Sequence, residues 1–313
     1  MSVLAPAAPA PQTADAVRRR LTSGRADVAG VVFRSILGLA IVLTLAILIV
    51  LITDVVTGGW TVLSSRLGDF LTGELALSAE RSGVYQGLIG SLYIGIFVVV
   101  LAFPIGIGAA IYLEEYAPKS RFTRVIDINI RNLAGVPSVV YGILGFAIFV
   151  KSLSSLSGGA TPIAAGVTLA ILVLPIVIIT SAEAIRAVPD SIREAGFGVG
   201  ATRWEVVRSH VLPYAAPGIL TGTVLSLARA LGEAAPLILI GAVTGRLGTF
   251  GGPVTEQLQE KFTAMPIVIT AWAGRPNADF QALTAAAIVI LLAVVLLFNT
   301  GAILLRNRYE RRR

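Results

Sequence analysis

The chain has 313 residues, of which 55% are hydrophobic and only 14% charged, with a net charge of +7. Soluble domains carry about 25% charged residues, so an ordinary water-soluble globule is excluded. There is no cysteine and one histidine, His210, which removes disulfides, thiol nucleophiles and histidine-built metal clusters.

The charges cluster and leave long apolar stretches between them. Residues 1–32 are rich in Ala and Pro and carry Arg18, Arg19, Arg20 and Arg25. They read as a disordered, basic, cytosolic tail. The apolar run that follows is longer than the core of roughly 7–15 residues found in secretory signals, so a retained membrane helix is expected at 33–57. A polar loop with Trp60 and Tyr85 follows. Further spans are expected at 86–113, 132–151, 161–182, 214–243 and 281–305, and residues 306–313 form a second basic tail. A crossing needs roughly 20 mostly apolar residues, and in hydrocarbon an isolated segment must satisfy its backbone as a helix. The expected fold class is therefore an all-α membrane protein with six transmembrane helices.

Several spans contain proline, which removes a backbone donor and bends a helix. Bends are expected at Pro104, Pro137, Pro175, Pro217 and Pro236. Pro104 is followed by Gly106 and Gly108, a pair suited to close helix approach. Broken helices around a pathway and ordinary membrane packing both account for this composition.

Basic residues set the topology. Counted over alternate non-membrane segments, Lys and Arg number 18 on one side and 6 on the other, with Arg229 left inside a span. Cytoplasmic loops carry the excess. Both termini and the loops 114–131 and 183–213 are thus expected in the cytosol. The positive charge reads as a topology signal and not as a nucleic-acid surface; the expected surroundings are membrane lipid.

The cytosolic loop 183–213 is long and patterned. Asp190 and Ser191 follow Pro189 as a helix start, and Gly200 falls where one helix ends and another begins. Thr202 is placed to cap a second short helix over 203–210, with Trp204, Val207 and Val211 at helical spacing. Two short helices joined at a glycine would make a protruding knob. Further on, Arg229 and Glu233 lie one turn apart within a span. A mid-membrane charge costs roughly 2.5–3.5 kcal/mol on the lenient insertion scale, so a structural ion pair and a polar patch on a transport pathway are both open readings.

The run Glu194-Ala195-Gly196, Gly200 and His210-Val211-Leu212-Pro213 resembles the EAA loop of ABC-importer permeases. The family pattern is Glu-Ala-Ala, three residues, Gly, nine residues, Ile, one residue, Leu-Pro. Gly196 stands here in place of the second Ala and His210 in place of the Ile. The segments Gly90–Ile94, Ala102–Pro118, which includes Glu114-Glu115-Tyr116, and Ala228–Pro236 are similar to PstA-type permeases of phosphate importers. The resemblance covers about residues 86–305. It implies a type I ABC importer permease fold over that region, with a coupling loop at 190–213. In that loop Glu194, Ala195, Gly200, Ala201, Arg203, Trp204, Leu212 and Pro213 would meet the ATPase. The expected partners are a second, PstC-like permease, two copies of a PstB-like ATPase and an extracytoplasmic PstS-like phosphate-binding protein, in a bacterial cytoplasmic membrane.

The same resemblance favours a pathway role for Arg229 and Glu233, since a guanidinium suits a tetrahedral oxyanion. The chain itself is not expected to be an enzyme. Lys119, Lys151 and Lys261 follow Pro118, Val150 and Glu260, so no Gly-Lys-Ser/Thr phosphate loop exists, and ATP and Mg would be bound by the partner. Alternatives are a permease for sulfate, molybdate or a phosphonate, and an ion-gradient-driven carrier with Glu233 as proton site. The outward segment 246–279 is read as a polar helix over 255–262 followed by an interfacial Trp272, a plausible seat for the binding protein.

Overall fold

The computed structural model describes residues 28–243 and 253–310. Most of the N-terminal basic tail, the last three residues of the C-terminal one, and residues 244–252 lie outside that range. Every regular element among the described residues is a helix. The chain divides into two compact units, residues 1–54 and 55–313. In the first, the described part belongs to α1 (Val28–Ser65), and its Leu, Ile and Val side chains are exposed. That suits a lipid solvent, which is as apolar as they are.

The second unit continues with α2 (Leu67–Thr72), α3 (Tyr85–Tyr116), α4 (Arg121–Ala134), α5 (Ser138–Ser152), α6 (Ser154–Ser157), α7 (Pro162–Arg186) and α8 (Asp190–Gly198). After these come α9 (Arg203–Gly232), α10 (Ala235–Ile240), α11 (Val254–Gln257), α12 (Met265–Ala273) and α13 (Ala278–Glu310). Five helices, α1, α3, α7, α9 and α13, are long and apolar enough to cross a membrane. A sixth span is reached when α4 and α5, bent by 97° at their junction, are counted as one element.

The third span, expected over 132–151 with a bend at Pro137, starts earlier, at Arg121, and is broken just before that proline. Pro137 offers no N–H and pushes Val136 out of the helical region. The amides of Gly135 and Val136 instead close back onto Asn132 and Leu133, ending α4. The fifth span, expected over 214–243 with bends at Pro217 and Pro236, is interrupted ahead of the second of these. It stops at Gly232, where Glu233 is extended with φ −78° and ψ 117°. Pro236 has no N–H for the Gly232 carbonyl, and its ring would collide with that oxygen.

At its other end α9 begins at Arg203, so the expected separate helix over 203–210 is the first part of the span itself. Pro213 is tolerated because Val207–Val211 form a wide π turn, which moves the hydrogen bonds from the fourth to the fifth residue. The same device, Val98–Ala102, precedes Pro104 in α3. Pro175 and Pro217 lie inside helices without a break.

The bundle packs on α7, which is buried along most of its length by α3, α5 and α9. Of the expected glycine pair, only Gly106 meets a neighbour: a Cβ there would lie 2.6 Å from Val177 Cγ1, whereas Gly108 faces open space. Trp272 is buried between Phe70 and Phe280, with ring centroids 6.3 Å away in each case. It is thus a core residue and not the interfacial anchor expected. The polar helix expected over 255–262 is a single turn, α11, and Phe262 is buried beneath the apolar α12. The tryptophan and α12 are drawn inward because α2, α12 and the start of α13 share one apolar cluster.

Candidate functional site

Two places carry the candidate residues: the knob between α7 and α9, and the break that ends α9. In the knob, α8 stops in a Schellman arrangement. The Gly200 amide donates to the Phe197 carbonyl at 3.0 Å and the Ala201 amide to the Gly196 carbonyl at 3.1 Å. Gly200 has φ +84°, a conformation that suits glycine. Thr202 then opens α9 with a reciprocal capping box. The Glu205 amide donates to Thr202 Oγ1 at 3.4 Å, and the Thr202 amide donates to Glu205 Oε2 at 2.7 Å. Asp190 does not cap α8 as expected. Pro189 holds the N-cap position, and Asp190, in the first turn, receives a hydrogen bond from Arg193 at 3.2 Å.

The knob sits on its own core of Ile185, Val188, Val206 and Val211 together with Ala110 of α3. Trp204, expected to share that apolar face, points outward. With Phe197 and Val199 it forms an exposed apolar patch around Gly200, rimmed by the exposed Glu194, Ala195 and Arg203. Ala201 and Leu212 are half-buried at its base, and Pro213 is exposed. His210 is exposed as well, so the apolar contact made by the family's Ile is not formed within this chain; the buried neighbour Val211 anchors the turn instead.

Gly196 has a steric reason. It is buried against Val206, and a Cβ would sit 2.7 Å from Val206 Cγ2. Gly196→Ala is expected to destabilise the protein by about 1–3 kcal/mol through overpacking, read as a lower thermal-unfolding midpoint in detergent. Adding Val206→Ala should recover most of the loss by making room.

What fastens the knob to the bundle was not evident from sequence. The adjacent Glu114 and Glu115, at the C-terminal end of α3, each take an arginine. Arg186 Nε donates to Glu114 at 3.2 Å, with a second, shorter bond from Nη2. Arg193 donates to Glu115 at 2.8 and 3.1 Å, and to the backbone carbonyls of Val188 and Ile185 at 2.7 and 3.0 Å. This second pair is largely buried, with side-chain exposures of 18% for Arg193 and 8% for Glu115. The Arg203 guanidinium lies 5.7 Å from the centre of the Tyr116 ring. The available signal was two consecutive carboxylates ending one span, matched by arginines flanking the next cytosolic loop.

At the far end of α9, Arg229 Nε lies 3.4 Å from Glu233 Oε1, with side-chain exposures of 50% and 19%. Arg229 is in the last helical turn, where unpaired carbonyls favour a cation. Glu233 is the residue at the break. Tyr214, Gly218, Leu225 and Arg229 are exposed along one side of α9, next to Thr221, which accepts a hydrogen bond from Arg306 of α13. The pair thus stands where a broken helix meets open space. That arrangement can present a guanidinium to an anion while a carboxylate limits its grip.

Residues 102–312 match the family described as binding-protein-dependent transport system inner membrane component. The chain belongs to this family. The permease is 31% identical over 273 residues to a probable ABC transporter permease protein, YqgI, of Bacillus subtilis, covering 85% of this chain and 90% of the relative. It is 34% identical over 234 residues to the phosphate transport system permease protein PstA 1 of Mycobacterium tuberculosis, covering 74% and 73%. Its fold is similar to a chain of the inward-facing MetNI methionine ABC transporter, with a TM-score of 0.53 and 19% identity over 72% of this chain and 94% of the other. The permease therefore has the type I ABC importer fold. It is a multi-pass transport component of the inner membrane and not an enzyme. Its family works with an ATPase and a binding protein.

Proposed function

We propose that the permease carries inorganic phosphate inward across the bacterial cytoplasmic membrane by alternating access. A separate ATPase would drive it through the knob at 190–213. The single observation that carries this reading is the knob. A glycine-hinged helix pair, with an apolar patch at its tip and a buried Arg193–Glu115 bond at its base, is built to receive force and pass it to α3 and α7. A gradient-driven carrier has no use for such a lever. Phosphate as cargo is supported by the PstA relatives and by Arg229 at the break in α9.

In this reading the cytosol holds both termini, and the outward-facing side receives cargo from a phosphate-binding protein. A second, PstC-like permease would cover the exposed side of α9, and two PstB-like ATPases would bind the ATP and Mg. Trp204, Phe197 and Val199 would enter the ATPase groove.

The test is uptake of labelled phosphate by cells lacking this chain, with labelled sulfate as control. Loss of phosphate uptake alone is expected; loss of sulfate uptake alone would reassign the cargo. A second expectation concerns the hinge. Gly200→Val forces a branched side chain into a left-handed conformation at roughly 1–2 kcal/mol. ATP hydrolysis should then continue while transport per ATP falls severalfold, measured together in proteoliposomes.

A further inference from the structure

We propose that α4 lies in the plane of the membrane and binds anionic phospholipid headgroups of the inner leaflet through Lys119, Arg121 and Arg124. The cytosolic placement rests on the orientation given under Proposed function. Four observations carry the rest. First, α4 has 14 residues and none is buried, with Phe122 73% exposed and Val125 and Leu133 also open. At 100° per residue these three fall on one side, while Arg124 and Arg131 fall on the other. Second, α4 is turned 97° from α5. Helix α5 packs beside the spanning α7 so closely that a Cβ on Gly145 would meet Thr168 Oγ1 at 2.3 Å. A helix at a right angle to that pair runs along the surface.

Third, the charge is uncompensated. Arg131 is taken by Asp127 at 3.1 Å and Glu183 at 3.9 Å, whereas Lys119, Arg121 and Arg124 have no acidic partner among the described residues. Fourth, a groove of about 930 Å³ separates the start of α4 from α8, with Lys119, Arg121, Arg124 and Arg203 on its walls. Its four carboxylates each have an arginine already: Glu114 has Arg186, Glu115 and Asp190 share Arg193, and Asp127 has Arg131. An apolar strip facing one way, with unpaired cations at its flank (Arg121), on its far side (Arg124) and just before the helix (Lys119), is what a lipid–water boundary selects. A protein partner would need no such division. Since Lys119 follows Tyr116 by three residues, a bound headgroup would brace the frame on which the knob is mounted.

The test uses the full-length chain carrying Phe122→Trp, with the unsubstituted protein as the background for its native tryptophans. Fluorescence is compared in phosphatidylcholine vesicles containing a minority of brominated phosphatidylglycerol, and in phosphatidylglycerol vesicles containing the same fraction of brominated phosphatidylcholine. A basic residue near the surface enriches anionic lipid roughly fivefold. Quenching by the brominated anionic lipid should therefore exceed the other by at least about twofold. K119Q/R121Q/R124Q should remove the difference while leaving the quenching itself. Equal quenching from the start, or none, would overturn the headgroup site. So would its disappearance when the second permease and ATPase are added, which would make this face a protein interface. The readout involves no transport, so a wrong cargo assignment would leave it unaffected.

Discussion

Arg229→Ala is expected to abolish phosphate uptake while the transporter still assembles and its ATPase still binds. The argument starts from cost. A cation in a span is expensive by roughly 2.5–3.5 kcal/mol. Its neighbour Glu233 relieves only part of that, because the contact is 3.4 Å and half of the Arg229 side chain is uncovered. A purely structural pair would be expected to turn inward, whereas half of this arginine's side chain is exposed at the end of α9. Hydrogen bonds to charged groups contribute about 1.5–3 kcal/mol each, so losing a forked contact to phosphate lowers its capture by two orders of magnitude or more. The competing account, a helix clamp, is separated by a double substitution. Arg229→Ala alone leaves Glu233 unpaired and is expected to lower stability as well. Arg229→Ala with Glu233→Gln removes that burden. It should recover that stability, measured as the thermal-unfolding midpoint of the assembled complex, but not uptake. Recovery of uptake in the double variant would mean that the pair only holds the helix.

Arg193→Ala is expected to detach the knob. Its guanidinium makes two bonds to Glu115, two to backbone carbonyls and one to Asp190. Four of these are partly buried, so a single truncation leaves the Glu115 carboxylate and two carbonyls without their partner. Breaking a buried pair in this way costs about 3–5 kcal/mol. The loss is local to the junction of α3, α7 and α8, because the valine core beneath Gly196 remains. The expected phenotype is an assembled permease whose ATPase no longer responds to cargo-loaded binding protein, measured as ATP hydrolysis with and without that protein. Arg193→Lys should recover little, since a point charge cannot reproduce the fork that reaches Glu115 and two carbonyls at once. An unaltered response in Arg193→Ala would show that force leaves the knob by another route.

The two variants fail for different reasons. In the proposed mechanism the Arg229 variant would lose its grip on the cargo and leave the ATPase response intact, whereas the Arg193 variant would lose the linkage and leave the pathway intact. Measuring uptake and hydrolysis on both therefore distinguishes a blocked pathway from a slipped lever.

Much of this protein was fixed by local chemistry. The class and the number of spans follow from the spacing of charged residues, because a bilayer admits few charges and requires helices. Gly200 as a hinge and Thr202 as a cap were legible too, since each depends on a residue's own conformational preference or on a partner three positions away. The tertiary structure decided what depends on distant residues. Pro137 and Pro236 break their spans while Pro175 and Pro217 do not, and a proline's sequence neighbourhood does not say which turn can widen to absorb it. Trp272 went inward because Phe70 and Phe280, remote in sequence, close around it. The need for glycine at 196 is set by Val206, across the hinge. Most plainly, Glu115 and Arg193 are 78 residues apart. Each reads alone as a solvated charge, and only the fold brings them into the bond that holds the lever.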